Sequence, residues 1–175
     1  MVLFFLVLFI IDPYSFSAEG FADFISLYGD QMMIAYAVLS IIRGLFLIPS
    51  TPFIIAGAML FPEQPLTVFI ISIIGVLTGS TFVYYFSDLL GFSGKLEKKY
   101  PKQIEKWNKR LNSKWAVGLV IAWSFFPLVP TDVICYVAGV VKMKYRNLIF
   151  GVLIGELVLV YLYVYLGQGL FELIF

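Results

Sequence analysis

Two segments of this chain break an apolar run with proline in the same way, and that duplication sharply limits the folds open to it. Residues 48–61 read IPSTPFIIAGAMLF and residues 129–142 read VPTDVICYVAGVVK. Each sets a Pro-Ser/Thr element in apolar sequence and follows it with Ala-Gly, at Ala56-Gly57 and at Ala138-Gly139. Behind each comes an unbroken apolar stretch. Residues 75–91 align without a gap onto 151–167 with seven identities, among them GVLTG against GVLIG. Proline lacks an N–H and clashes with the preceding turn, so it stops a helix. A broken apolar segment followed by a full apolar span, present twice, is the pattern of repeat transporters whose site lies in the broken segments.

The solvent follows from composition. The chain is 61% hydrophobic and 13% charged, with a mean hydropathy of +0.96, well beyond a soluble domain. Within a bilayer the backbone must satisfy its own polar groups, which leaves helices for a chain of this pattern. We therefore expect an all-α polytopic membrane protein: one membrane domain over 1–175, built as an inverted repeat of a re-entrant helical hairpin plus a transmembrane helix. Repeat 1 covers 31–91, a basic loop covers 92–114 and repeat 2 covers 115–171. Residues 1–30 form an apolar and amphipathic N-terminal segment. Residues 1–11 are wholly apolar, but eleven residues reach only about 16 Å as a helix, short of a core of about 30 Å. Residues 14–30 place Phe16, Phe21, Phe24, Leu27 and Tyr28 among acids, which suits a helix lying in the interface. Residues 66–86 and 148–167 have the length of full spans.

Charge sets the sidedness. Eleven of the twelve Lys and Arg residues follow position 94, eight of them in 95–114. Between two membrane segments such a run reads as a cytoplasmic loop under the positive-inside rule, and not as a nucleic-acid site. The loop, if helical, sets Leu96, Ile104, Trp107 and Leu111 against the membrane and its lysines toward anionic headgroups. Lys114 precedes the broken stretch 115–141, while Lys142, Lys144 and Arg146 follow it. Both clusters stay inside only if the stretch enters and returns on one face. The stretch 31–61, flanked by Asp30 and Glu63, is expected to enter and return on the other. The competing arrangement is four simple spans with proline kinks.

The broken segments carry the candidate chemistry. Pro49, Pro52, Pro127 and Pro130 end helices at membrane depth, and Ser50, Thr51 and Thr131 add hydroxyls. The half-helix beginning after each proline points its positive end inward, where an anionic group is favoured. Three ionisable residues sit at apparent membrane depth: Arg43, Asp132 and Glu156. Such residues mark a pathway or a pair. They read either as anion capture by Arg43 with a proton-linked carboxylate at Asp132 or Glu156, or as a structural ion pair between the hairpins. Gly75/Gly79 and Gly151/Gly155 form GxxxG faces for close helix packing, which also allow a homo-oligomer. With no His and only Cys135, which reads as a small buried residue, no cofactor or metal is expected, and His-based enzyme sites are excluded.

The stretches IIRGLFLIPSTPFIIAGAMLF and FFPLVPTDVICYVAGVVKMKYRNLIFGVLIG resemble the two halves of the DedA/VTT superfamily (SNARE-associated Golgi protein domain) over about residues 20–170. The resemblance implies two inverted re-entrant hairpins and movement of lipids between leaflets, as scramblase or flippase. In bacterial relatives it extends to polyprenyl-phosphate carriers, with coupling to a proton or ion gradient. Ser124 and Pro130 stand where DedA proper has the arginines of Arg-x-x-Pro-x-x-Arg, and the PLVPTD hairpin looks more like the branch typified by yeast Golgi proteins. The expected function is a non-enzymatic lipid mover of a bacterial or archaeal cytoplasmic membrane, with membrane lipids as partners. An ion-coupled transporter of a small solute and a non-catalytic assembly factor are the alternatives.

Overall fold

The computed structural model describes residues 17–46, 48–89, 99–126 and 129–174. The expectations for residues 1–16, Leu96 and Pro127 lie outside them. Every regular element among the described residues is helical. In chain order these are α1 (Ala18–Ser26), α2 (Met32–Ile42), α3 (Ser50–Leu60), α4 (Pro65–Leu89), α5 (Pro101–Leu111), α6 (Ala116–Phe125), α7 (Thr131–Val140) and α8 (Tyr145–Ile174). Short 3-10 turns at Gly29–Gln31 and Arg43–Phe46 flank α2. Each half of the chain therefore runs through the same order: a short polar-faced helix, two half-length helices and one long helix.

Length separates two classes of apolar helix. The stretches Pro65–Ser87 and Tyr145–Gly167 are 23 residues each with mean hydropathy 2.2. At 1.5 Å per residue each reaches about 35 Å, enough for a hydrocarbon core of about 30 Å. The chain is an all-α membrane protein. Helices α2 and α3 have 11 residues and α6 and α7 have 10, so each extends only about half the core thickness, some 15–16 Å. The breaks fall at Pro49 and Pro130; Pro52, also expected to end a helix, sits instead in the first turn of α3, where its missing N–H is tolerated. Pro49 (φ −55°, ψ 143°) and Pro130 (φ −59°, ψ 127°) are extended and stand immediately before α3 and α7.

The chain divides into two compact units, one running to Gly75 and resuming at Val160, the other comprising Val76–Leu159. The cuts fall inside α4 and α8.

In the first unit, Ser17 caps α1, its Oγ accepting from Gly20 N at 3.0 Å, which satisfies one of the orphan donors of the first turn. Helix α1 buries Ala18, Ala22 and Ile25, and Phe21 packs on Phe53 of α3 with ring centroids 4.0 Å apart and the planes tilted by 30°. Phe24, Leu27 and Tyr28 are exposed. The interfacial helix expected from the sequence is thus anchored to protein through its small residues and Phe21. Helices α2 and α3 then double back on one another. A Cβ built on Gly57 of α3 would lie 2.5 Å from the ring of Tyr36 in α2, and the Tyr36 and Phe61 rings are 5.8 Å apart. A continuous helix would separate residues 36 and 57 by about 32 Å. Tyr36, Ile25 and Val68 form a buried cluster, joined by Met32 and Met33 from one arm and Leu60 and Phe61 from the other. Val164 of α8 also packs there.

In the second unit, Pro101 opens α5 at a position where its missing N–H costs nothing. Leu111 is fully buried, and Trp107 packs edge-on against Trp123 of α6 at 5.9 Å. Both were expected against the membrane; Leu111 is instead buried and Trp107 meets the second hairpin, because an amphipathic stripe does not specify which apolar surface it meets. That hairpin also doubles back. Asn112 Nδ2 donates to Val141 O at 3.2 Å across 29 residues, so the two ends of the hairpin lie side by side. Both broken stretches thus turn back on themselves within the chain. Helix α7 ends with Lys142 in the left-handed region at φ 52°. Met143 N donates to Ala138 O at 2.9 Å and Lys142 N to Gly139 O at 3.1 Å, the paired bonds of a Schellman cap. Tyr84 Oη of α4 donates to Met143 O at 2.7 Å, and the Thr81 and Tyr145 hydroxyls share a 2.7 Å bond. Both contacts fix the turn into α8.

The glycine faces of the long helices pack within the chain. A Cβ on Gly75 would meet the Ser40 carbonyl of α2 at 2.5 Å; on Gly151 it would meet Val120 of α6 at 2.8 Å, and on Gly155 Ser124 of α6 at 2.7 Å. Each long helix holds the first arm of its own hairpin by these close approaches. These three glycines are therefore sites of close approach within the chain itself.

Candidate functional site: two hairpin tips of opposite chemistry

The first tip is cationic. Arg43 follows α2 directly and is 4% exposed. Its Nη1 donates to Ile48 O at 3.0 Å, which pins the chain just before Pro49 and holds the tip closed on itself. Pro49 is exposed, and Ser50, Thr51 and Pro52 at the start of α3 are half-buried. No carboxylate lies in the first turn of α3. Below the tip, the Tyr36 and Ser72 hydroxyls share a 2.8 Å bond. Ser40, one turn before Arg43, is buried, and its hydroxyl makes no hydrogen bond of good geometry among the described residues.

The second tip is acidic. Pro130 is exposed, and Thr131, the first residue of α7, is 8% exposed. Thr131 Oγ1 donates to Glu156 Oε1 of α8 at 2.5 Å. Glu156 is 1% exposed, and Asp132 stands half-buried in the first turn of α7. The positive end of α7 is thus served by the chain's own carboxylates. Cys135, one turn further along α7, is fully buried beside Ser80 of α4. The hydroxyls of Ser80 and Ser124 are buried without a good hydrogen bond among the described residues.

The structure brings Thr131 and Glu156 together, a pairing the sequence did not suggest. Arg43 belongs to the first unit, while Asp132 and Glu156 belong to the second. Four buried polar residues were not foreseen from the sequence, Tyr36, Ser40 and Ser72 at the first tip and Ser80 near the second, whereas Cys135 is the small buried residue expected. One signal was available. Ser72, Ser80 and Ser87 recur at spacings of eight and seven along α4, and all three are buried, which marks a single polar stripe on an otherwise apolar span. Ser80 aligns with Glu156 in the duplicated spans, so the same register is used in both long helices.

The arrangement distinguishes two chemistries. A guanidinium behind a carboxylate-free helix start suits an anion. Two carboxylates near a buried hydroxyl suit a proton or a small cation.

Known proteins agree with a membrane assignment. Residues 48–169 match the VTT domain, and the match covers both hairpins' second arms, all of α4 and α8 as far as residue 169. An uncharacterized protein of Methanocaldococcus jannaschii, MJ0201, is 33% identical over 110 residues, which is 63% of this chain and 67% of that protein. No solved structure matches. With more than half of its length inside the match, this chain belongs to the VTT-domain (DedA) family of membrane proteins.

Proposed function

We propose that this protein moves lipid headgroups between the leaflets of a cytoplasmic membrane, with its two hairpins re-entering from opposite faces and residues 99–114 inside. The observation that carries the reading is the pair of polar tips on half-length helices. Helix ends at about half the bilayer depth expose backbone groups that hydrocarbon cannot satisfy, so such ends are tolerated only beside protein or water. Arg43 with Ser50 and Thr51 offers donors to the phosphate of a headgroup. Glu156 and Asp132 supply a carboxylate pair able to carry a proton. In each unit a buried hydroxyl, Ser40 in the first and Ser80 and Ser124 in the second, offers a passing polar group a partner while acyl chains remain in the bilayer. The protein acts in this reading as a transporter and not as an enzyme.

The test is reconstitution into vesicles containing fluorescent phospholipid, with bleaching of outer-leaflet dye by dithionite. Wild type is expected to expose the inner-leaflet pool to bleaching. Arg43→Gln and Glu156→Ala are expected to suppress this while keeping the helical spectrum. Unchanged lipid movement in both variants would refute the roles given to the tips. Counterflow of a soluble solute without lipid movement would favour the small-solute reading.

A further inference from the structure

The second hairpin has a foot whose chemistry the transport site does not use. Residues 99–114 and 141–146 together hold nine lysines and arginines against a single acid, Glu105. All nine cations are exposed. The Asn112–Val141 bond at 3.2 Å draws the two groups to one place. Lys109, Arg110 and Lys114 lie on the chain entering the hairpin, with Lys142, Lys144 and Arg146 on the chain leaving it. Glu105 is already bonded to Lys109 at 2.7 Å, so it neutralises one cation and leaves the others.

Aromatic rings lie among these charges. Lys99 sits over the ring of Tyr100 at 5.4 Å, Arg110 over Trp107 at 5.7 Å and Lys114 over Trp115 at 5.7 Å. Trp115 is 73% exposed at the foot itself. Tyr100 and Trp115 are exposed, while Trp107 is half-buried against Trp123; exposed rings paired with cations are the composition of the headgroup layer, where a ring meets the acyl boundary and a charge meets phosphate. The helix in the corresponding place before the first hairpin, α1, has no cation and exposes Glu19 and Asp23. The cations are thus a property of this foot and not of such helices in general.

We propose that the foot of the second hairpin is a docking surface for anionic phospholipid headgroups, which it gathers in preference to zwitterionic ones. The occupant follows from charge complementarity. Eight unneutralised cations need anions, exposed rings beside them suit headgroup depth, and an anionic lipid headgroup offers both an anion and an acyl boundary. Each cation near such a surface favours anionic lipid about five-fold.

The experiment uses the full chain in phosphatidylcholine bilayers, with the fluorescence of its tryptophans quenched by dibrominated lipid. Two of the three tryptophans, Trp107 and Trp115, lie on the foot. Brominated phosphatidylglycerol is expected to quench at a mole fraction about five-fold lower than brominated phosphatidylcholine does. High salt, which shortens the screening length to about 3 Å at 1 M, is expected to remove most of that preference. The variant Lys114→Gln/Lys142→Gln/Lys144→Gln/Arg146→Gln is expected to lose it at low salt. Equal quenching by the two lipids at low salt overturns the proposal and leaves the cations as topology signals or as a site for an acidic protein. A preference that survives both salt and the variant also overturns it. If the variant does not fold, the salt series on wild type decides. The readout does not depend on lipid movement, so this proposal and the proposed function fail separately.

Discussion

Replacing Gly57 with Ala tests the doubled-back geometry by the sign of its effect. In an ordinary helix, Gly→Ala stabilises by about 1 kcal/mol, because alanine loses less backbone freedom. In this structure the new methyl would stand 2.5 Å from Cζ and Oη of Tyr36 and 2.7 Å from Cε2. Van der Waals contact requires about 3.5–4.0 Å, so the ring must move by about 1 Å or more. Tyr36 is fully buried, and its hydroxyl is held by Ser72 at 2.8 Å. Overpacking of this kind costs about 1–3 kcal/mol, and loss of the Tyr36–Ser72 bond adds about 1 kcal/mol. Set against the helix gain of about 1 kcal/mol, the balance is a destabilisation of about 1–3 kcal/mol. Gly118 of α6 provides the control, since a Cβ there meets nothing within 4 Å, and Gly118→Ala is expected to stabilise by up to about 1 kcal/mol. Unfolding in micelles, followed by circular dichroism, measures both. A Gly57→Ala protein as stable as Gly118→Ala would mean that Tyr36 does not face α3, and the hairpin would fall with that result. A cycle with Tyr36→Leu isolates the contact, because the smaller side chain is expected to relieve the Gly57→Ala penalty.

Three further expectations follow from the second unit. Thr131→Val leaves the buried Glu156 carboxyl without its hydroxyl donor and is expected to lower stability by about 1–3 kcal/mol, whereas Thr131→Ser stays near wild type in the same unfolding experiment. Glu156→Gln keeps an acceptor for Thr131 but cannot bind or release a proton; folding is expected to persist while any pH dependence of lipid movement in vesicles disappears. Lys142→Gly relieves a left-handed backbone conformation at φ 52° and is expected to raise stability by about 1 kcal/mol, read as a higher unfolding midpoint.

Different parts of this molecule were legible in the sequence to different degrees. Pro49 and Pro130 announced the helix breaks because proline acts on its own turn and needs no partner. The two long spans were legible from apolar length alone. The turning back of the second hairpin was suggested by Lys114 and Lys144 needing one side, and the Asn112–Val141 bond has the same geometry. What the sequence did not carry is pairing over distance. Tyr36 and Ser72 are 36 residues apart, and neither is unusual where it stands. Glu156 was read from its charge alone, and its hydroxyl donor Thr131, 25 residues away, could not be named because hydroxyl–carboxylate pairs leave no pattern. Trp107 and Leu111 were assigned to the membrane because an apolar stripe looks the same whether it meets lipid or protein. The glycines of α4 and α8 were readable as close-approach sites, but small residues mark a near neighbour without saying whether it belongs to the same chain.

The central claim is that two half-helix hairpins enter the membrane from opposite faces. Single cysteines at positions 63, 114 and 144, placed in a Cys135→Ser background, test it with a membrane-impermeant thiol reagent on intact cells and on inverted vesicles. All three parent residues are exposed. The account predicts that Lys114→Cys and Lys144→Cys label together from the cytoplasmic face, and that Glu63→Cys labels from the other. Labelling of positions 114 and 144 from different faces, or of all three from one, would contradict it.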